Sequence, residues 1–403
     1  MDLHGAKRTG TWSETFAVFL KLGLTSFGGP IAHLGYFRDE LVVRRRWLAD
    51  ATYADLVALC QFLPGPASSQ VGIAIGLIRA GWPGALAAWL GFTLPSAIAM
   101  ILFAYGVDAF ADDAAAGWLR GLKVVAVAVV ANAVWGMART LSADRERATL
   151  TVVAAAIVLF WPGAFGQIGA ILLGAVVGIL FLGSAAGQGG GHLAVPVSRR
   201  AAVLCLTLFF ALLIGLPILA ATADSMALRL FDSFYRAGSL VFGGGHVVLP
   251  LLQAEVVDPG WVTRDAFVAG YGAAQAVPGP LFTFAAYLGT VMIPEPDGAV
   301  GGVLCLVAIF LPSFLLVIGA LPFWDALRQR PQAQAALRGV NAAVVGLLLA
   351  ALYDPVWTSG IQTPADFALA ATALLLLAFW QLPPWLVVIV TAVGGAGLVA
   401  VGY

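Results

Sequence analysis

Charge is scarce in this chain. Asp, Glu, Lys and Arg make up 10% of its 403 residues, where a soluble domain carries roughly 25%. Hydrophobic residues make up 61% and the mean hydropathy is +0.94. That balance excludes a soluble globule of this length, because the surplus apolar mass has to face lipid. Net charge is zero, which removes the electrostatic case for a nucleic-acid partner. Cysteine is equally sparse. Cys60, Cys205 and Cys305 sit singly in apolar stretches without CxxC spacing, so neither a disulfide framework nor a thiolate metal site is expected. The four histidines, His4, His33, His192 and His246, form no HExxH or i,i+4 pair, and no metal or cofactor is expected. GxxxxGK[ST] is missing, so the chain carries no ATP motor of its own. The N-terminal MDLHGAKRTG has no apolar stretch followed by a cleavage site, and no removable signal is expected.

Apolar runs of about 20 residues recur instead, the length a membrane-spanning helix needs. Examples are residues 83–107, 119–138, 201–221, 301–323 and 385–401. The expected class is an all-α polytopic membrane protein, multi-pass in the inner (plasma) membrane, with the lipid bilayer as its surroundings.

The chain repeats itself. A shift of 215 residues lays Phe19, Lys21, Gly23, Phe27, Gly28 and Gly29 on Phe234, Arg236, Gly238, Phe242, Gly243 and Gly244. At a shift of 214, Trp47 meets Trp261, Gln61 meets Gln275, and Pro64-Gly65-Pro66 meets Pro278-Gly279-Pro280. Leu94-Pro95-Ser96 then falls on Leu311-Pro312-Ser313, and Leu119-Arg120-Gly121 on Leu337-Arg338-Gly339. Matches that keep their order across 100 residues, rare residues included, indicate two homologous halves, 14–183 and 229–402. Between them, 184–228 holds a glycine-rich connector and one unmatched apolar span. If each half crosses the membrane an even number of times, that single span inverts the second half, the inverted-repeat plan of many secondary transporters.

Each half shows six apolar segments. Loops bearing Arg139, Arg145 and Arg147, Arg199 and Arg200, and Arg328, Arg330 and Arg338 read as cytoplasmic. The loops with Asp108, Asp112 and Asp113, with Glu295 and Asp297, and with Asp354 alternate as external. This alternation requires the first two segments of each half to return the chain to its starting side. Arg38, Arg44, Arg45 and Arg46 in one connecting loop, against Arg264 alone in its counterpart, favour re-entrant hairpins over full spans. Each half is then expected to hold two hairpins and four spanning helices, with hairpin tips at the Gly-Gly and Pro-Gly-Pro breaks.

A helix restarting at mid-membrane presents free N–H groups and a partial positive charge, which suits an anion. The expected substrate-binding set is Gly28, Gly29, Pro30 and His33; Gln61, Pro64, Gly65, Pro66, Ser68, Ser69 and Gln70; Gly243, Gly244, Gly245 and His246; and Gln275, Pro278, Gly279 and Pro280. Lys21, Arg236, His33 and His246 are the charge or coupling candidates, since no acidic residue lies at the immediate tips. Packing is the competing reading: Gly and Pro are common in membrane helices, and Gly72-x-x-x-Gly76 is a helix-contact pattern. Likewise Ser68 and Ser69 can bond to the preceding turn, and Lys21 and Arg236 can snorkel to an interface. His246 aligns with Ile31 rather than with His33.

At these residues the chain resembles the chromate ion transporter family in its long, two-domain form. FGGPIAHLGYF, RRRWL, LCQFLPGPASSQVGIAIGL and GFTLPSA carry the resemblance in the first half. LVFGGGHVVLPLL, GW and AGYGAAQAVPGPLFTFAAYLG carry it in the second. The resemblance covers residues 14–402 and implies chromate efflux, with chromate resistance, coupled to an ion gradient or to anion exchange. Sulfate, a tetrahedral dianion of similar size, is the natural competitor or exchange partner. A homodimer is compatible with this organisation. Oxyanion uptake is the alternative within the class, and a passive channel suits an inverted repeat less well. A lipid-handling or intramembrane enzyme would need a buried His–Asp pair, a tip arginine cluster or GxSxG, and the sequence offers none of these.

Overall fold

A computed structural model describes residues 10–27, 29–109, 113–162, 164–183, 197–242, 245–324 and 330–401. Gly28, Gly243, Gly244, Arg328 and most of the glycine-rich connector lie outside the described residues. Every regular element among the described residues is helical, as a chain with no water to satisfy its backbone requires.

The first half opens with two short helix pairs. α1 (Trp12–Thr25) starts where the Thr11 hydroxyl accepts the Glu14 amide at 3.2 Å, and stops at Ser26. α2 (Gly29–Phe37) runs on into a π-helical turn, Arg38–Arg44. α3 (Asp50–Phe62) ends at Leu63, and α4 (Ala67–Ala109) begins after Pro66. The second half repeats the plan with α9 (Met226–Leu240), α10 (Val248–Val256), α11 (Arg264–Ala274) and α12 (Phe284–Thr290). The helix breaks therefore fall on the glycine and proline clusters. At 14 residues α1 is about 21 Å long, well short of the ~30 Å hydrocarbon core.

α4 is not one straight rod. Ala80 and Gly81 leave helical geometry, with φ of 70° at Gly81. A Cβ on Gly76 would touch the Gly84 carbonyl oxygen, and one on Gly84 the Gly76 oxygen. Residues eight apart in an unbroken helix are about 12 Å apart, so the chain doubles back here. Gly289 and Gly301 make the same reciprocal approach between α12 and α13 (Gly298–Ala320).

The longer helices follow: α5 (Asp113–Leu141), α6 (Arg145–Phe160) and α7 (Ala164–Phe181), then α13, α14 (Pro331–Ala351), α15 (Pro364–Ala378) and α16 (Pro384–Ala400). α8 (Arg199–Thr222) links the halves, and the Tyr235 hydroxyl of α9 donates to its Phe209 carbonyl at 3.0 Å. Among the described residues, five helices are long and apolar enough to cross a membrane, in 67–106, 117–141, 199–222, 298–323 and 331–360; α7, α15 and α16 are shorter apolar helices. In the α5–α6 loop the Arg147 amide, followed by its guanidinium, holds the Asp144 carboxyl below the usual carboxylate range, which suits its place at the N-terminus of α6.

The two halves interlock. The last helices of each pack on a long helix of the other: α7 and α6 on α14, α16 and α15 on α5. Glycines let the backbones meet, Gly339 against Gly174 and Gly178, and Gly121 against Thr391 and Ala392. A Cβ at Gly339 meets the Gly178 backbone at 2.8 Å, and backbone cannot step aside. Gly339→Leu should therefore cost about 3 kcal/mol and lower the melting temperature of the detergent-solubilised protein, followed by fluorescence-detected gel filtration. Gly169→Ala, which meets nothing within 4 Å, should leave it unchanged.

Candidate functional site

The four helix breaks converge through a reciprocal pair of hydrogen bonds. The Gly65 amide donates to the Val241 carbonyl at 2.7 Å, and the Gly279 amide donates to the Ser26 carbonyl at 2.9 Å. Gly65 and Gly279 are counterparts in the repeat, as are Ser26 and Val241, so the exchange has the self-complementary form of a pseudo-two-fold contact. Both glycines have positive φ, 123° and 103°, which lets the Pro-Gly-Pro turns expose their amides to the opposite half. Flanking hydroxyls keep the pairing: an added Cβ would meet Ser313 Oγ at 2.9 Å from Gly65, and Ser96 Oγ at 2.8 Å from Gly279.

Polar groups gather around this junction, and many lack partners. Ser69 Oγ, Gln70 Oε1, Ser26 Oγ, Thr93 Oγ1, Ser313 Oγ and Gln275 Nε2 are buried with no hydrogen-bond partner. Among the partnered groups, Gln70 Nε2 donates to the Pro64 carbonyl at 2.6 Å, and Ser68 Oγ and His33 Nδ1 form a 3.3 Å hydrogen bond. In the second half His246 Nδ1 bonds the Tyr271 hydroxyl at 2.6 Å. His246 also lines a cavity with Gly29, Gln275, Gly279 and Pro384, and Gly29, at φ 80°, turns the face where a Cβ would sit toward His246 Nε2. The two halves are not equal here. After Pro66 the chain reads Ala67-Ser68-Ser69-Gln70, whereas after Pro280 it reads Leu281-Phe282-Thr283-Phe284, and Thr283 Oγ1 is spent on the Pro280 carbonyl at 2.8 Å. Of the unpartnered donors, Ser69 Oγ lies at the start of α4, with Ser26, Thr93, Ser313 and Gln275 on the segments around it.

Of the charge candidates, His33 and His246 lie at the junction, whereas Lys21 and Arg236 are held in ion pairs. Lys21 Nζ donates to Glu40 at 2.9 Å, and Glu40 also holds Arg44 and Arg45 at 3.0 and 2.8 Å. Arg236 pairs with Glu255 at 2.7 Å and Asp232 at 3.1 Å. Gln61 is exposed, and Pro30 lies in the first turn of α2; Gly28, Gly243 and Gly244 lie outside the described residues. Sequence reasoning passed over Ser26, Thr93 and Ser313, which are common hydroxyl residues of apolar helices, although Ser96 and Ser313 had already aligned in the repeat. It also passed over Glu40 and Glu255, which the 215-residue shift brings into register.

Comparison with known proteins agrees with the pattern of breaks. Residues 13–179 and 228–397 match the chromate transporter family. The chain is 28% identical to a chromate transport protein of Pseudomonas aeruginosa over 96% of this chain and 92% of the relative. It is 25% identical to a chromate transport protein of Cupriavidus metallidurans, over 97% and 94%. A probable chromate transport protein of Synechococcus elongatus is 26% identical, over 94% and 93%. No solved structure matches the chain. With the match spanning most of both halves and the helix breaks at its centre, this multi-pass membrane protein belongs to the chromate transporter family.

Proposed function

We propose that the chain is a secondary transporter for tetrahedral oxyanions that carries chromate out of the cell, with sulfate as competitor or exchange partner. The observation that carries this reading is the set of buried, unpartnered donors at the junction of the four breaks, led by Ser69 Oγ, Ser313 Oγ and Gln275 Nε2. A buried polar atom left without a partner costs about 1–3 kcal/mol, and a desolvated dianion supplies acceptors for several at once. The start of α4 adds its free amides and the helix dipole. The tips hold no carboxylate to repel the ion.

The short helix pairs α1–α2, α3–α4, α9–α10 and α11–α12 are re-entrant hairpins in this account, and residues 14–183 and 229–402 are inverted repeats about an axis in the membrane plane. Non-helical backbone is then tolerated at mid-membrane because it lines a shared cavity. The loop before α3 is cytoplasmic and the loop before α11 external. Cysteines at Ala49 and Pro259, both exposed, check this. A membrane-impermeant thiol reagent on intact cells should label Pro259→Cys and spare Ala49→Cys; the reverse pattern contradicts the hairpins.

Radiolabelled chromate counterflow in proteoliposomes tests the function. Saturable counterflow, competed by sulfate, is expected from the wild-type protein. Ser69→Ala should weaken chromate affinity by about 10- to 150-fold, the effect of one charge-assisted hydrogen bond. Wild-type vesicles without counterflow would overturn the reading, and unchanged Ser69→Ala would reduce that tip to packing.

A further inference from the structure

Arg236 Nη2 on α9 donates to Glu255 of α10 at 2.7 Å and forms an ion pair with Asp232, one turn earlier, at 3.1 Å. Both carboxylate side chains are nearly closed off, at 9% and 8% exposure. The three side chains line one cavity with Arg229, Ser233 and Trp261. Two carboxylates on one guanidinium leave a surplus negative charge in a low-dielectric wall, and a proton shared between them removes it.

Apart from Arg229, the residues lining the cavity add no further cation. α8 and α13, both packed on α9, carry no Asp, Glu, Lys, Arg or His in 201–222 and 298–320. α7, packed on α10, faces it with Gln167, whose amide donates to the Pro250 carbonyl at 2.7 Å. α14 also packs on α10, and its one charge, Arg338, neighbours Gly339, which is seated on α7. Arg229, the remaining cation lining the cavity, lies 3.8 Å from Asp224, and Asp258 follows α10. The counterpart in the first half has the opposite balance, because Glu40 holds Lys21, Arg44 and Arg45 together. The repeat has therefore kept the Glu40/Glu255 pairing with a cation and reversed its surplus charge.

We propose that the Asp232–Arg236–Glu255 triad is the proton-binding site of the transport cycle, loaded from its cavity and read by the substrate site through α9. The proposal rests on the transport reading above. The link is short: α9 ends at Leu240, and the carbonyl of Val241, five residues beyond Arg236, accepts the Gly65 amide at the tip junction. A proton that changes how Arg236 holds α10 therefore acts on the same helix that positions that junction. Coupling of this kind is reciprocal, so bound oxyanion changes the triad's affinity for a proton by the same factor that the proton changes oxyanion affinity. The histidines are less suited to the task, since His33 and His246 already have Ser68 and Tyr271 as partners.

The test uses the full-length protein in proteoliposomes with a trapped pH dye and radiolabelled chromate. For the wild type, a gradient of about one pH unit should change chromate accumulation by about tenfold per coupled proton, with dye-detected proton movement during chromate flux. Glu255→Gln and Asp232→Asn, which keep an acceptor for Arg236, should retain chromate–chromate exchange at equal pH within about twofold and lose the gradient response. Wild-type exchange without proton movement overturns the proposal and leaves the transport reading standing, whatever the variants do. Variants that keep the full gradient response overturn it as well. Failure of wild-type exchange would instead sink the transport reading itself.

Discussion

Gly279→Val is expected to lower chromate transport by about a hundredfold or more while the protein still reaches the membrane. The residue sits at φ 103°, a conformation that costs a non-glycine residue of order 1–3 kcal/mol and a β-branched one at the upper end. Its Cβ would lie 2.8 Å from Ser96 Oγ and 3.1 Å from the Phe92 carbonyl oxygen. The serine can rotate away, but the carbonyl belongs to α4 and cannot. Relief requires the turn to move, and that breaks the Gly279 donation to Ser26. Gly65→Val should do the same from the other side, at φ 123°, with its Cβ 2.5 Å from Gln70 Nε2 and 2.9 Å from Ser313 Oγ. Gly35→Ala, which meets nothing within 4 Å, is the control. Initial rates of chromate counterflow, normalised to protein in the vesicles, check this. Wild-type rates in both valine variants would mean that the reciprocal bonds are incidental.

The largest effect on stability is expected at Asp366→Ala. Arg120 of α5 grips Asp366 of α15 with two nitrogens, Nε at 2.7 Å and Nη2 at 3.1 Å, and Nη2 also donates to Thr363 Oγ1 at 3.0 Å. Asp366 further accepts the Gln362 and Thr363 amides at 3.1 and 2.9 Å, which caps α15. Its side chain is 1% exposed. Removing the carboxylate takes the charge partner from a guanidinium that is 20% exposed and strips the cap together, so a loss of about 3–5 kcal/mol is expected. Because α5 and α15 come from different halves, the failure should appear as separation of the halves in thermal unfolding. Asp366→Asn, which keeps the cap, should lose less. Equal melting temperatures for Asp366→Ala and the wild type would remove this pair from the account.

The repeat was legible because its markers are rare in apolar helices. Two Phe-Gly-Gly and two Pro-Gly-Pro clusters cannot continue a helix, and all of those inside the described residues fall at helix breaks. What joins them was not legible. The Gly65–Val241 and Gly279–Ser26 bonds run through backbone, which carries no sequence signature, and Ser26, Thr93 and Ser313 read as ordinary small residues until the fold leaves their hydroxyls unpartnered. Lys21 and Arg236 were visible as cations in apolar surroundings, but their partners Glu40 and Glu255 lie 19 residues onward in each case, across the helix break. Gln61 shows the limit of repeat matching: it aligns with Gln275, yet it is exposed while Gln275 lines the cavity.

Anomalous diffraction at the chromium edge, from crystals of the wild-type protein soaked in chromate, tests the central claim most directly. The account predicts one chromium peak at the junction of the four breaks, within hydrogen-bond reach of Ser69 and of Ser313 from the opposite half, and no peak there in Ser69→Ala crystals. A peak beside Lys21 or Arg236 with an empty junction would contradict it.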